Sequence, residues 1–131
     1  MKYKLPKFPD FVIPTFKILC NVDINADLNL YRQAIQKYMD SLKTDAQKFE
    51  NLNFDLASEI ALKCNYLLDN YDSFPPKKRN LILGAVRYFI NDVDPLNDAL
   101  FASGFDDDAS IINYVLEQLG VENMFINLRH Y

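Results

Sequence analysis

A chain of 131 residues has the length of one ordinary domain. With half of its residues hydrophobic, ten phenylalanines, eight tyrosines and only three glycines, it has material for a core and none of the character of a low-complexity or disordered chain. The formal charge of -4 speaks against nucleic acid or anionic membrane as the main partner, because both need a basic face.

Residues 1–24 carry Lys2, Lys4, Lys7 and Lys17 against Asp10 and Asp23, and hold Pro6, Pro9 and Pro14 between Phe8, Phe11, Val12, Ile13, Phe16, Ile18 and Leu19. Each proline biases its predecessor toward extended geometry, so the expectation is an extended arm, with room for a short strand or helical turn, laid across the helices that follow or, as the alternative, across a partner. The lysines precede no continuous apolar stretch, and Lys17, Ile18 and Leu19 stand before Cys20 where a lipoprotein cleavage site has small residues; no export signal is read here. Cys20 and Cys64 are far apart and too few for the dense framework of small secreted domains. Both are read as reduced and at least partly buried, and the expected location is cytoplasmic.

From about Ala26 to Asn51, Leu28, Tyr31, Ile35, Tyr38 and Leu42 recur at steps of three and four, and Phe49 follows one heptad on. This spacing predicts an amphipathic helix, with Asn25 or Asp27 available as its cap. Three heptads of such spacing fit one helix of a bundle rather than a coiled coil. Phe54 to Tyr71 resumes the period through Ala57, Ile60, Ala61, Cys64, Leu67 and Leu68, and the short link implies an antiparallel neighbour. Cys64 falls on the apolar stripe, as a core residue rather than a nucleophile.

Pro75 and Pro76 start a third helix, since proline is tolerated in a first turn and not in an interior. Lys77, Lys78 and Arg79 follow as a solvated first turn, there being no glycine-rich loop to make a phosphate site. Asn80 to Asn91 is apolar nearly all round and belongs in the middle of the bundle. Its run from Leu81 to Ile90 is broken by Arg87 and is half of the roughly 20 residues that span a bilayer. A fourth helix is predicted from Asp106 to Leu119, with Gly120 as its stop and a last short helix over Val121 to Tyr131. The expected architecture is all-α: a single-domain bundle of four to five helices over residues 1–131, with no internal repeat.

Between the last two main helices lies the stretch of most chemical interest. Residues 91–117 carry Asp92, Asp94, Asp98, Asp106, Asp107, Asp108 and Glu117 and no lysine or arginine. Tyr88, Phe89, Asp94, Asp98, Gly104, Asp107, Asp108 and Ala109 fall without a gap on the pattern YF-x-x-P-x-D-x-x-P-D-x-x-P-x-x-G-x-x-DDA. In this the region 80–117 resembles the YkvA-like domain of unknown function. Asp92, Asn97 and Phe101 stand where that pattern has proline, and Pro95 where it has an aliphatic residue. The resemblance implies a small helical domain and supplies no activity.

The acids admit two readings. In the structural one, Asp106, Asp107 and Asp108 meet the unpaired N–H groups and positive dipole of a helix start, worth roughly 0.3 to 2 kcal/mol each, while Asp92, Asp94 and Asp98 bond to the backbone of a turn around Pro95. In the chemical one, Asp94, Asp98, Asp107 and Asp108 hold a divalent cation, Mg2+, Mn2+ or Ca2+, which gathered carboxylates tolerate and hard oxygen ligands suit. It is no calcium-binding hand, since Asn97 and Ser103 stand at the loop positions that need glycine and glutamate. A metal site would allow a divalent-metal-dependent hydrolase acting on a phosphoester through bound water. No nucleophile elbow, phosphate loop, zinc signature or dinucleotide fingerprint accompanies it, and His130 is read as a solvent-exposed side chain. The expected function is therefore a non-catalytic protein-interaction module, with a protein partner or a homodimer, and the hydrolase is its alternative.

Overall fold

The computed structural model describes residues 12–47, 53–90, 105–121 and 123–127. Within them the protein is an all-α bundle of five helices: α1 (Val12–Cys20), α2 (Leu28–Ala46), α3 (Phe54–Asp69), α4 (Pro76–Ile90) and α5 (Asp106–Gln118), with a 3-10 turn at Tyr71–Ser73. No helix among these residues is long and apolar enough to cross a membrane.

The two N-terminal caps follow from side-chain chemistry. Asp27 accepts a hydrogen bond from the backbone N–H of Asn29, and Asn53 accepts one from that of Leu56 at 3.1 Å, each satisfying a donor that the helix leaves unpaired. α2 turns Ile35 and Leu42 into the core; α3 buries Leu56, Ile60, Cys64, Leu67 and Leu68. Arg32 near the start of α2 bridges Asp69 at the end of α3 at 3.1 Å, as antiparallel neighbours require. α4 buries Ile82, Leu83, Val86 and Phe89, and α5 buries Ile111, Ile112, Val115 and Leu116.

The basic cluster at the start of α4 is less solvated than its composition predicts. Lys78 donates from Nζ to the carbonyl of Gln118 at 2.8 Å, capping the last turn of α5. Arg79 donates to the carbonyls of Phe74 and Asp72, both at 3.0 Å, and lies over the ring of Tyr71. Tyr71 in turn donates its hydroxyl to the carbonyl of Ile24. These cations thus tie together chain segments whose carbonyls have no helical partner. Only Lys77 of the three faces water without a bond among the described residues.

Two expectations are corrected. Residues 12–20 of the expected extended arm form a helix, because Pro14 is its third residue, inside the first turn where the missing N–H has no partner to lose. Val12 and Phe16, four apart, are then both buried, and α1 does lie across the other helices. The expected short helix after Gly120 is absent from residues 121 and 123–127. Gly120 takes φ +79, which ends α5. Beyond it, Asn113 in the middle of α5 accepts from the N–H of Ile126 at 2.7 Å and donates to its carbonyl at 2.9 Å. A backbone held on both sides by a side-chain amide is committed away from a helical ladder.

Candidate functional site

Of the four carboxylates expected to hold an ion, Asp94 and Asp98 lie outside the described residues. Asp107 and Asp108 stand in the first turn of α5, together with Asp106. Neighbours on a helix diverge by about 100°, so the pair does not converge by itself. Asp108 is buried, and its charge adds to the desolvation that raises the pKa of the buried Cys64 thiol, whereas Asp107 is half-buried beside Asp106. Among the described residues no three His, Cys, Asp or Glu side chains are grouped to hold a metal ion.

None of the three aspartates occupies the N-cap position of α5. Its N-cap is Phe105, which makes no side-chain cap bond and is itself packed into the core. Asp106, Asp107 and Asp108 all lie in the first turn of α5, where a negative charge meets the positive end of the helix dipole. Burial raises the pKa of both Asp106 and Asp107, with the Asp106 charge adding to the rise at Asp107. The sign follows: a carboxylate whose pKa is raised on folding binds its proton more tightly in the folded state, so its ionisation takes stability away as pH climbs through the folded pKa. Asp107→Asn is thus expected to raise the free energy of unfolding at pH 7 by under about 1 kcal/mol, given its partial exposure to solvent. The gain shrinks as pH falls toward the ordinary aspartate range. Paired thermal melts at pH 7 and pH 4 check this, and a destabilised variant at pH 7 would restore the helix-start account.

Neither thiol is poised for chemistry. Cys64 is fully buried, and desolvation first, then the Asp108 carboxylate, hold its thiol well above the usual range. Burial pushes Cys20 up to about 11 despite the nearby Arg87 guanidinium. Both are free and protonated at neutral pH.

The feature the sequence reading missed is a pocket of about 460 Å³ where α1 crosses α4 and α5. α1 comes this close to α4 because α4 carries Gly84 at the crossing. A Cβ there would meet the Cys20 sulfur, would stand 3.1 Å from Phe16 Cε1, and would stand 3.2 Å from the Cys20 Cα, so α1 seats only over a bare backbone. Arg87 fixes the far end of α1 by donating to the carbonyl of Leu19 at 2.7 Å, and Phe16 meets the Tyr114 ring edge-on at 6.2 Å between centroids. Beside this crossing the walls leave an opening. Ile13, Phe16, Cys20, Leu81 and Tyr114 make it apolar, and Lys17 and Asn80 are its polar groups. Lys77 precedes Asn80 by three residues and Leu81 by four, placing it one turn along the same face of α4. Neither Lys17 nor Lys77 nor Asn80 has a hydrogen bond or ion pair among the described residues. The volume and the mix of apolar wall with few polar groups are those of a binding cleft. The available signal in the sequence was an isolated glycine inside a helical pattern, which marks close backbone approach.

The chain matches no family model, no curated protein and no solved structure.

Proposed function

We propose that the chain is a non-catalytic helical module that works through protein contact, and that the contact is made at the pocket between α1, α4 and α5. One observation carries this reading: in a chain of net charge -4, the apolar pocket is edged by Lys17, with Lys77 one turn along α4, and neither ammonium has a partner among the described residues. Complementary charge around an apolar depression selects a partner and speeds its encounter. The partner of matching chemistry is a protein segment that brings a large apolar side chain with carboxylates beside it. A cytoplasmic setting, where Cys20 and Cys64 stay reduced, belongs to the same proposal. So does membership of the YkvA-like domain, carried among the described residues by Tyr88, Phe89, Asp107, Asp108 and Ala109.

Selection of a display library of random peptides on the purified chain tests the reading. The enriched sequences are expected to combine Leu, Ile or Phe with Asp or Glu and to lose binding to the Lys17→Glu, Lys77→Glu double variant. Both lysines are peripheral, so the variant should melt as the parent does. Enriched peptides indifferent to the charge reversal, or no enrichment, would overturn it.

A further inference from the structure

We infer that the partner segment docks as an amphipathic helix, its apolar face in the pocket and its carboxylates toward Lys17 and Lys77; the inference rests on the reading just given. The warrant is the backbone of the walls. Every residue lining the pocket belongs to α1, α4 or α5, so its N–H and C=O groups sit in helices whose ladders are already complete or lie at their ends. No strand occurs among the described residues, and the pocket offers no free sheet edge. An extended peptide gains affinity by adding main-chain hydrogen bonds to such an edge. Here it would make none, and each amide it carried into the apolar pocket would lose its water without a replacement. A helix arrives with its amides bonded internally and presents only side chains, spaced three and four apart.

The polar groups of the pocket agree with this. Lys17 Nζ is a flexible cation with three donors, and Asn80 supplies an amide; both address side-chain oxygens equally well and demand no particular main-chain geometry. The ring of Tyr114 and the side chains of Leu81 and Ile13 give a surface for one or two inserted aliphatic or aromatic anchors. Acidic residues one turn from those anchors on the incoming helix reach the lysines, and this part of the attraction is screened by salt.

The experiment compares two labelled peptides of about four helical turns, equal in composition, with leucines at i, i+4 and i+7 and glutamates flanking them. One carries a proline at its centre, which breaks a helix. The other carries its proline at the first position, where a helix tolerates it. Fluorescence anisotropy against the full chain, with circular dichroism of the mixture, is expected to show saturable binding and gain of helicity for the uninterrupted peptide. Affinity should be lower by about tenfold or more, a difference of about 1.4 kcal/mol, for the peptide with the central proline. A similar loss is expected for the uninterrupted peptide on the Lys17→Glu, Lys77→Glu variant. Equal binding of both peptides, abolished by the charge reversal, would overturn the helical mode and leave the protein-contact reading standing. Failure of both peptides while decanoate, held below its micelle concentration, binds in a Lys17-dependent way would overturn both and make the pocket a site for anionic amphiphiles. Failure of all three probes would remove the site.

Discussion

Gly84→Ala is expected to be among the most damaging single-methyl changes in this protein, although alanine is the better helix former. The propensity gain is about 1 kcal/mol in an exposed helix interior, but the new methyl would crowd the Cys20 sulfur, the Phe16 ring and the Cys20 Cα, all on α1. Overpacking of this kind costs about 1 to 3 kcal/mol when neighbours must move. Phe16 cannot give way freely, since it is buried and packs edge-on against Tyr114, and the end of α1 is fixed through Arg87. The expected net loss is up to about 2 kcal/mol, read as a fall in melting temperature of about 4 °C per kcal/mol at this chain length. Adding Cys20→Ala should return part of the loss in the Gly84→Ala background, because it removes the sulfur, while the backbone of residue 20 still stands 3.2 Å from the new methyl. A double-mutant cycle reads that coupling directly. A Gly84→Ala protein as stable as the parent would mean that α1 does not rest on α4 at this point, and the pocket beside it would lose its basis.

The extent to which this arrangement was legible in the sequence depends on the range of the interactions that decide it. α2, α3 and α4 were readable because their determinants are local: the three-and-four spacing of Leu28, Tyr31, Ile35, Tyr38 and Leu42, the cap at Asp27, and the prolines before Lys77. α1 was misread for a local reason of the opposite kind. Its prolines pointed to extended chain, but only Pro14 lies within it, at a position where proline is harmless. Lys78 and Arg79 were read as solvated because their partners lie elsewhere in the chain: the carbonyl of Gln118 is forty residues away from Lys78, and those of Asp72 and Phe74 become available only when α3 ends in a 3-10 turn. The pocket has the same origin. Ile13 and Lys17 on one side and Asn80, Leu81 and Tyr114 on the others share no sequence window, and they meet beside the crossing where α1 seats against the bare backbone of Gly84. The acidic stretch stood out in composition, yet composition does not fix direction: Asp107 and Asp108 diverge from one helical turn, while Asp94 and Asp98 fall outside the described residues.

The C-terminal segment carries the other large expected effect. Asn113 is fully buried and its side-chain amide satisfies both main-chain groups of Ile126, a residue itself buried to within 1% of its surface. Asn113→Ala removes both partners at once and leaves a buried N–H and a buried C=O exposed to nothing but apolar neighbours. Each unsatisfied group costs about 1 to 3 kcal/mol, so the expected loss is about 2 to 4 kcal/mol if the segment stays in place, less if it detaches and regains water. Asn113→Asp separates the two bonds. A carboxylate still accepts from the Ile126 N–H but cannot donate to the Ile126 carbonyl; a protonated carboxyl can do both. Burial and the waiting acceptor favour the protonated form in the folded state, so the introduced group should have a folded pKa above the ordinary aspartate value of about 3.9. Because the folded state then binds the proton more tightly than the unfolded one, the variant should be closest to the parent at or below that ordinary value. It should lose stability as pH rises through the window up to the folded pKa, and show its full deficit at pH 7. The deficit of Asn113→Ala has no titrating group behind it and should stay constant over the same range. Thermal melts of the three proteins between pH 4 and pH 7 therefore distinguish a buried two-sided latch from simple loss of packing: an Asn113→Asp protein as stable as the parent at pH 7 would show that the amide donor to the Ile126 carbonyl contributes nothing.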